Sequence, residues 1–282
     1  MTSTLAAGIA LVWLLAAADP VIGPAPLEEP ASAKAGAEAC LVEIDTDNDG
    51  VVDWEIRTTD DRRGRPSVVR YRGPSRALSG SYRYLYDDRG RVSGAELFAG
   101  ASDRAVFRIR FTYDARGRRD RGGLYAAPTG ELILWIGYTY RPDGRLLAEE
   151  TRDGDTGLRL SRTDYRYDDR GRATLRESDE NGDGVPEERI VYSYDHAGRL
   201  AREERGGAEA VNARGVYRYD RSGRLASLEW HYDEDDTVDG RITYTHDAAG
   251  NLTRLEDDSD ADGVTDGETR YRYDCRQEEP RR

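Results

Sequence analysis

Carboxylates in this chain recur at spacings that suit a hard cation. Asp45, Asp47, Asp49 and Asp53 surround Gly50, which puts oxygen side chains at positions 1, 3, 5 and 9 of a short phrase with glycine at position 6. Asp179, Asn181, Asp183 and Glu187 stand around Gly184 in the same way, and Asp258, Asp260, Asp262 and Asp266 around Gly263. Calcium takes about 6 to 8 oxygen ligands, and alternating Asp or Asn around a sharp glycine turn gathers several of them at once. The main-chain carbonyl at position 7, that of Val51, Val185 or Val264, adds another. The three loops are therefore expected to bind calcium. The carboxylate that usually completes such a loop at position 12 is replaced by Ile56, Ile190 and Thr269, which leaves position 9, and Glu55 or Glu268 at position 11, to compensate. A degraded copy, His231 to Asp239, has imidazole at position 1 and Asp236 in the glycine slot, and is a weaker cation site.

The elements that must position these loops are themselves repeated. The clearest copy of the second phrase is Tyr192-Ser-Tyr194-Asp195-His-Ala-Gly198-Arg199-Leu200, and its turn glycines are Gly90, Gly117, Gly144, Gly171, Gly198, Gly223 and Gly250, spaced 27, 27, 27, 27, 25 and 27 residues apart. Self-similarity at a fixed period marks a repeat architecture. Two tyrosines at i and i+2 share one face of a strand, Asp opens a turn, and glycine three residues later suits a left-handed backbone. The phrase is a hairpin tip. Asp45, Asp179, His231 and Asp258 each lie 19 residues before the turn position at Gly64, Gly198, Gly250 and Gln277, so every acidic loop is the connection at the opposite end of a hairpin. The chain is predicted to be all-β, a continuous antiparallel meander.

Aligned in register, Tyr84, Phe111, Tyr138, Tyr165, Tyr192, Tyr217, Tyr244 and Tyr271 form one row, and Tyr86, Tyr113, Tyr140, Tyr167, Tyr194, Tyr219, His246 and Tyr273 the next. Such a ladder serves as a spine, since aromatic cross-strand pairs contribute ~0.2 to 1 kcal/mol each. Its other use is as a sugar-stacking surface, provided the rings are open. The first unit lacks the tyrosines and the last lacks the turn glycine, as caps on the exposed ends of a stack would.

The 282 residues carry 42 Lys and Arg against 55 Asp and Glu, a net charge of -13, which disfavours nucleic acid as a partner. Residues 1–19 hold an apolar run that reads as a signal peptide or N-terminal anchor. Residues 20–39 read as an Ala/Pro-rich linker, 40–277 as the β-repeat domain, and 278–282 as a frayed tail. The location implied is secreted, periplasmic or cell-surface. Cys40 and Cys275, the 2 cysteines, stand at the two ends of the array. They bridge if the ends meet, closing a loop worth a little over ~4.7 kcal/mol, and are free thiols if they do not.

The Tyr-x-Tyr-Asp-x-x-Gly-Arg-Leu phrase resembles the YD repeat, or Rhs repeat, of bacterial secreted and surface proteins, over about residues 56 to 276. The acidic loops resemble those of thrombospondin type 3 repeats over their first nine residues. The YD resemblance implies tandem hairpins wound into a curved or partly closed sheet, with roles in adhesion, toxin enclosure or carbohydrate binding. Enzymatic signatures are missing: the sequence has no Gly-rich phosphate loop and no nucleophile elbow, and its imidazoles are His196, His231 and His246. The function expected on these grounds is a non-catalytic, exported, calcium-binding scaffold, structural or adhesive, that binds an envelope or cell-surface protein or its own copies. A carbohydrate-binding module using the tyrosine ladders is the alternative, and a glycan-active enzyme stands behind both.

Overall fold

The computed structural model describes residues 37–75, 78–207, 211–232 and 236–277; the expected leader and tail lie outside them, as does the linker up to residue 36. The eighteen strands among the described residues belong to one sheet, and the pairings are antiparallel. The chain contacts divide into two units, 80–186 and the remainder.

In the first unit the meander runs through β4 (Gly80–Tyr86), β5 (Val92–Ala99), β6 (Ala105–Tyr113), β7 (Arg119–Ala126), β8 (Leu132–Tyr140), β9 (Leu146–Asp153), β10 (Arg159–Tyr167) and β11 (Ala173–Asp179). Alternate side chains of these strands meet in a core of Ala95, Leu97, Ile109, Phe111, Leu124, Leu134 and Ile136. The period of two that puts them on one face is the ordinary pleat of a strand. Neighbouring strands approach so closely at Gly94 that a Cβ there would lie 2.1 Å from the Ile109 carbonyl oxygen, so only glycine fits.

The second unit holds β1 (Ala37–Asp45), β2 (Trp54–Asp60) and β3 (Pro66–Arg72) from the start of the chain. With them go β12 (Glu188–Tyr194), β13 (Leu200–Gly206), β14 (Val211–Tyr219), β15 (Leu225–His231), β16 (Gly240–His246), β17 (Leu252–Asp258) and β18 (Gly267–Gln277). Here β1 pairs with β2 on one side and with β18 on the other, which puts Cys40 opposite Cys275. Cys40 is disulfide-bonded, and the sequence offers one partner for it.

This pairing corrects the expected fold class. The strands are all β, as predicted, but the sheet is a closed eighteen-stranded barrel, not an open or partly closed meander of tandem hairpins. The first and last units are not caps: their strands are hydrogen-bonded neighbours, and a closed sheet has no free edge to cover. What the hairpin period could not show is that N-terminal strand β1, which contains no tyrosine phrase, inserts between β2 and β18.

The hairpin tips explain the repeated phrase. At the tip between β4 and β5, the Asp87 amide donates to the Arg91 carbonyl and the Gly90 amide to the Asp87 carbonyl, both at 2.9 Å. The Asp87 carboxylate accepts from the Arg91 amide (2.9 Å) and from Arg91 Nε (2.7 Å). Asp114 with Arg118, Asp168 with Arg172, Asp195 with Arg199 and Asp220 with Arg224 repeat the arrangement. So does the irregular first unit, through Asp61 and Arg65. The turn glycine is left-handed, with φ of +85° at Gly198.

Three of the tips are tied to the following hairpin by a tyrosine. The Tyr113, Tyr167 and Tyr219 hydroxyls donate to the carbonyls of Val92, Leu146 and Leu200, at 2.5, 2.8 and 2.8 Å. The tip guanidinium covers the same ring: Arg91 lies 3.9 Å from the centre of Tyr113, and Arg199 lies 4.3 Å from that of Tyr219. Tyrosine, aspartate, glycine and arginine thus recur together because they make one joint.

Candidate metal centres

Turns after β1, β11 and β17 carry the acidic loops, and each gathers carboxylates. Asp45, Asp47 and Asp53 each place an oxygen within 4.8 Å of the others, as do Asp179, Asp183 and Glu187, and Asp258, Asp260 and Asp262. These three clusters could hold a divalent cation. The cause is local: the glycine at position 6 is left-handed in every loop, with φ of +89° at Gly50, +98° at Gly184 and +91° at Gly263. Position 4 is left-handed too, at Asn48 (φ 57°), Gly182 (φ 77°) and Ala261 (φ 56°). Two such residues curl the backbone until position 1 faces its own loop. The position-6 amide donates to that residue, from Gly50 to Asp45 Oδ2 at 3.0 Å, Gly184 to Asp179 Oδ2 at 2.9 Å and Gly263 to Asp258 Oδ2 at 3.1 Å.

The other predicted ligands divide between roles. Position 5 closes a small turn, Asp49 accepting from the Val51 amide, Asp183 from that of Val185 and Asp262 from that of Val264. Asp47 accepts from the Asp49 amide, Asn181 from that of Asp183, and Asp260 from that of Asp262. Asp47, Asp49, Asp183, Asp260 and Asp262 each have a second carboxylate oxygen, whereas the Asn181 amide has one oxygen, which accepts from the Asp183 amide. Asp53 and Asp266 at position 9 are instead held by the amide and hydroxyl of Thr46 and of Ser259, and those hydrogen bonds push both carboxyls below the usual range. The Val51, Val185 and Val264 side chains at position 7 stand exposed.

The two expected substitutes for the missing position-12 ligand are both paired with arginines. Glu268 accepts from Arg254 at 2.7 Å and from Arg270 at 2.5 Å, and those hydrogen bonds hold it at about 2. Glu55 is paired with Arg72 at 3.6 Å. Ile190 is in the core at 1% exposure, because position 12 is already inside the returning strand.

The loops differ where it matters for a cation. Asp45 is 4% exposed and Asp258 9%, and in each one carboxylate oxygen, Oδ1, is buried without a hydrogen-bond partner. A buried acceptor left unpaired costs about 1 to 3 kcal/mol, and more when charged. In the Asp179 loop both oxygens are engaged: Gly182 donates to Oδ1 at 2.6 Å, Gly184 to Oδ2, and Arg159 stands 3.3 Å from Oδ2. Arg159 lies 20 residues upstream of Asp179, outside the loop pattern; the visible signal is glycine at position 4, where the other loops have Asn or Ala. The fourth loop, whose residues 233–235 lie outside the described ones, has His231 Nδ1 against the Thr237 carbonyl and Arg214 paired with Asp236 at 2.7 Å.

The tyrosine rows offer no open stacking face. No described ring in either row is exposed, and arginines cover Tyr113, Tyr140, Tyr167 and Tyr219. Exposed strand positions carry polar side chains in the main, among them Arg83, Arg110, Thr112, Arg166, Ser193 and Arg218. Many of these arginines flank a glutamate of a neighbouring strand, as Arg218 and Arg241 flank Glu229 at 2.9 and 3.3 Å. Strands that face lipid carry apolar residues at such positions.

No family model matches the chain, and no curated protein matches it. Among solved structures it is similar to a porin-like protein from Bacteroides uniformis, at 9% identity and a TM-score of 0.45, over 84% of this chain and 98% of that one. It is also similar to a chain of the TcdB2-TccC3-Cdc42 structure, at 14% identity and a TM-score of 0.40, and to the Photorhabdus luminescens Tc holotoxin pore, at 17% and 0.37. The chain spans 15% and 12% of those two toxin chains. Likenesses at these scores carry no statement about role. The YD or Rhs resemblance is corrected: no family model matches the chain, and the sheet is a closed barrel, not the curved or partly closed array of tandem hairpins that the resemblance implied. The structural or adhesive scaffold built on that stack falls with it, and the sugar-stacking alternative falls with the covered rings.

Proposed function

We propose that the chain is a calcium-binding β-barrel module that works outside the cytoplasm in contact with another protein, without catalysing a reaction. The observation that carries the reading is the pair of buried, unpartnered carboxylate oxygens, Asp45 Oδ1 and Asp258 Oδ1, each inside a cluster of converging carboxylates. A bound cation would satisfy both. Asp45, Asp47, Asp49 and the Val51 carbonyl would supply one site, with Asp258, Asp260, Asp262 and the Val264 carbonyl supplying the other; Asp53 and Asp266 would join through water or by giving up a hydrogen bond. Several hard oxygen donors gathered on one loop fit calcium better than magnesium, which demands a small octahedral site. Disulfide bonding at Cys40 supports an oxidising compartment, and the charged outer strand positions support a surface that meets water or another protein. An envelope or cell-surface protein and a second copy of the chain are the partners to test first.

Isothermal titration of the full chain tests the cation reading. Calcium should bind with a Kd of about 10⁻⁴ to 10⁻³ M, as in extracellular modules, and magnesium at least tenfold more weakly. Asp45→Asn with Asp258→Asn should abolish the heat. Equal binding of the two ions, or calcium binding untouched by the double substitution, would overturn it.

A further inference from the structure

Three acidic loops share one pattern, but we propose that Arg159 acts as the resident cation of the Asp179 loop, so that the chain binds calcium at two loops and excludes it from the third. The inference rests on the calcium reading above and adds a residue that decides which loops bind. Arg159 Nη2 lies 3.3 Å from Asp179 Oδ2, and Nη2 and Nε donate to the Gly182 carbonyl at 3.1 and 3.3 Å. The positive charge therefore sits on the position-1 carboxylate and takes up a loop carbonyl.

The backbone is fitted to this arrangement. A Cβ at Gly182 would stand 2.2 Å from the Arg159 carbonyl oxygen, so the loop rests on the start of β10 as only glycine allows. Asn48 and Ala261 occupy the same position in the other loops with the same left-handed backbone, where glycine would be the easier choice. Glycine is present at the loop that closes on an arginine.

Register identifies the equivalent of Arg159 elsewhere. Asp179 lies opposite Arg162, Asp258 opposite Arg241, and Asp45 opposite Arg270. Three residues before each partner stand Arg159, Val238 and Gly267. The two loops with an unpartnered buried oxygen are the two whose neighbouring strand brings no charge to that place. A guanidinium and a calcium ion cannot share one carboxylate cage, because both need the same oxygens and repel each other.

Equilibrium dialysis of the full chain against calcium, with bound ion counted per molecule, tests the inference. Wild type should bind two ions, Arg159→Gln three, and Arg159→Gln with Asp179→Asn two again. The reciprocal Val238→Arg should bind one. The gain of a site in Arg159→Gln cannot come from misfolding, and Val238→Arg leaves the Asp179 loop untouched. Three ions in wild type, or two in Arg159→Gln together with two in Val238→Arg, would overturn the role of Arg159 while leaving calcium binding intact. No bound ion in wild type would overturn the calcium reading itself.

Discussion

Aspartate opens most of the hairpin tips, Arg141 being the exception, and it also opens the three acidic loops at the opposite end. At the tips its charge is answered within the turn: Asp195 accepts from the Arg199 amide at 2.9 Å and from Arg199 Nε at 2.8 Å, and the same guanidinium covers Tyr219. At the other end Asp45 and Asp258 collect more carboxylates instead of a counter-charge, and each keeps a buried oxygen with no partner. The Asp179 loop lies between the two, since it borrows its positive charge from β10. The same residue type can close a joint or hold open a site. What decides is whether an arginine four residues on, or one strand over, reaches it.

That contrast is sharpest when both kinds of aspartate are changed in calcium-free buffer. Asp195→Ala should lower Tm by several degrees, because the tip loses a charge-assisted hydrogen bond and its turn amides lose their acceptor. Asp45→Asn should leave Tm unchanged or raise it, since it relieves a cluster of like charges that nothing neutralises. Equal losses at the two positions would break the comparison.

A smaller effect is expected from pH. The side-chain hydrogen bond from Arg65 holds Asp61 at about 2, and hydrogen bonds from Arg118, Arg172 and Arg224 hold Asp114, Asp168 and Asp220 below the usual range. An unfolded aspartate takes up its proton near ~3.9. The unfolded chain therefore protonates first as pH falls, and the tips' contribution, present above about pH 4, should be lost as pH drops toward 2. Acid titration of unfolding in chelator should show this loss, reduced in Arg65→Gln. A flat profile from pH 5 to 2 would mean that the tips are not charge-locked.

The repeat was legible in the sequence because one joint needs four residue types in fixed order, and the spacing of the glycines located every turn. The spacing of the carboxylates also located three loops in which acidic groups gather, though the three that converge occupy different positions in each loop. Closure was left open by the sequence: Cys40 and Cys275 at the two ends bridge only if those ends meet, and spacing alone does not say that β1 pairs with β18. Nor could spacing reveal Arg159, whose contact with Asp179 crosses from one strand to the next. Covering of the tyrosines was hidden as well, since period alone puts them on one face without saying what lies over it.

The most direct test of the account is the thermal unfolding of the full, oxidised chain in excess calcium and in chelator, at fixed ionic strength and magnesium. A site held at 100 times its Kd stabilises by about 2.7 kcal/mol, so two sites should raise Tm by roughly 10 °C or more. The rise should vanish in Asp45→Asn with Asp258→Asn. A Tm that is the same with calcium and with chelator would contradict the account, and leave the buried carboxylate oxygens without a partner.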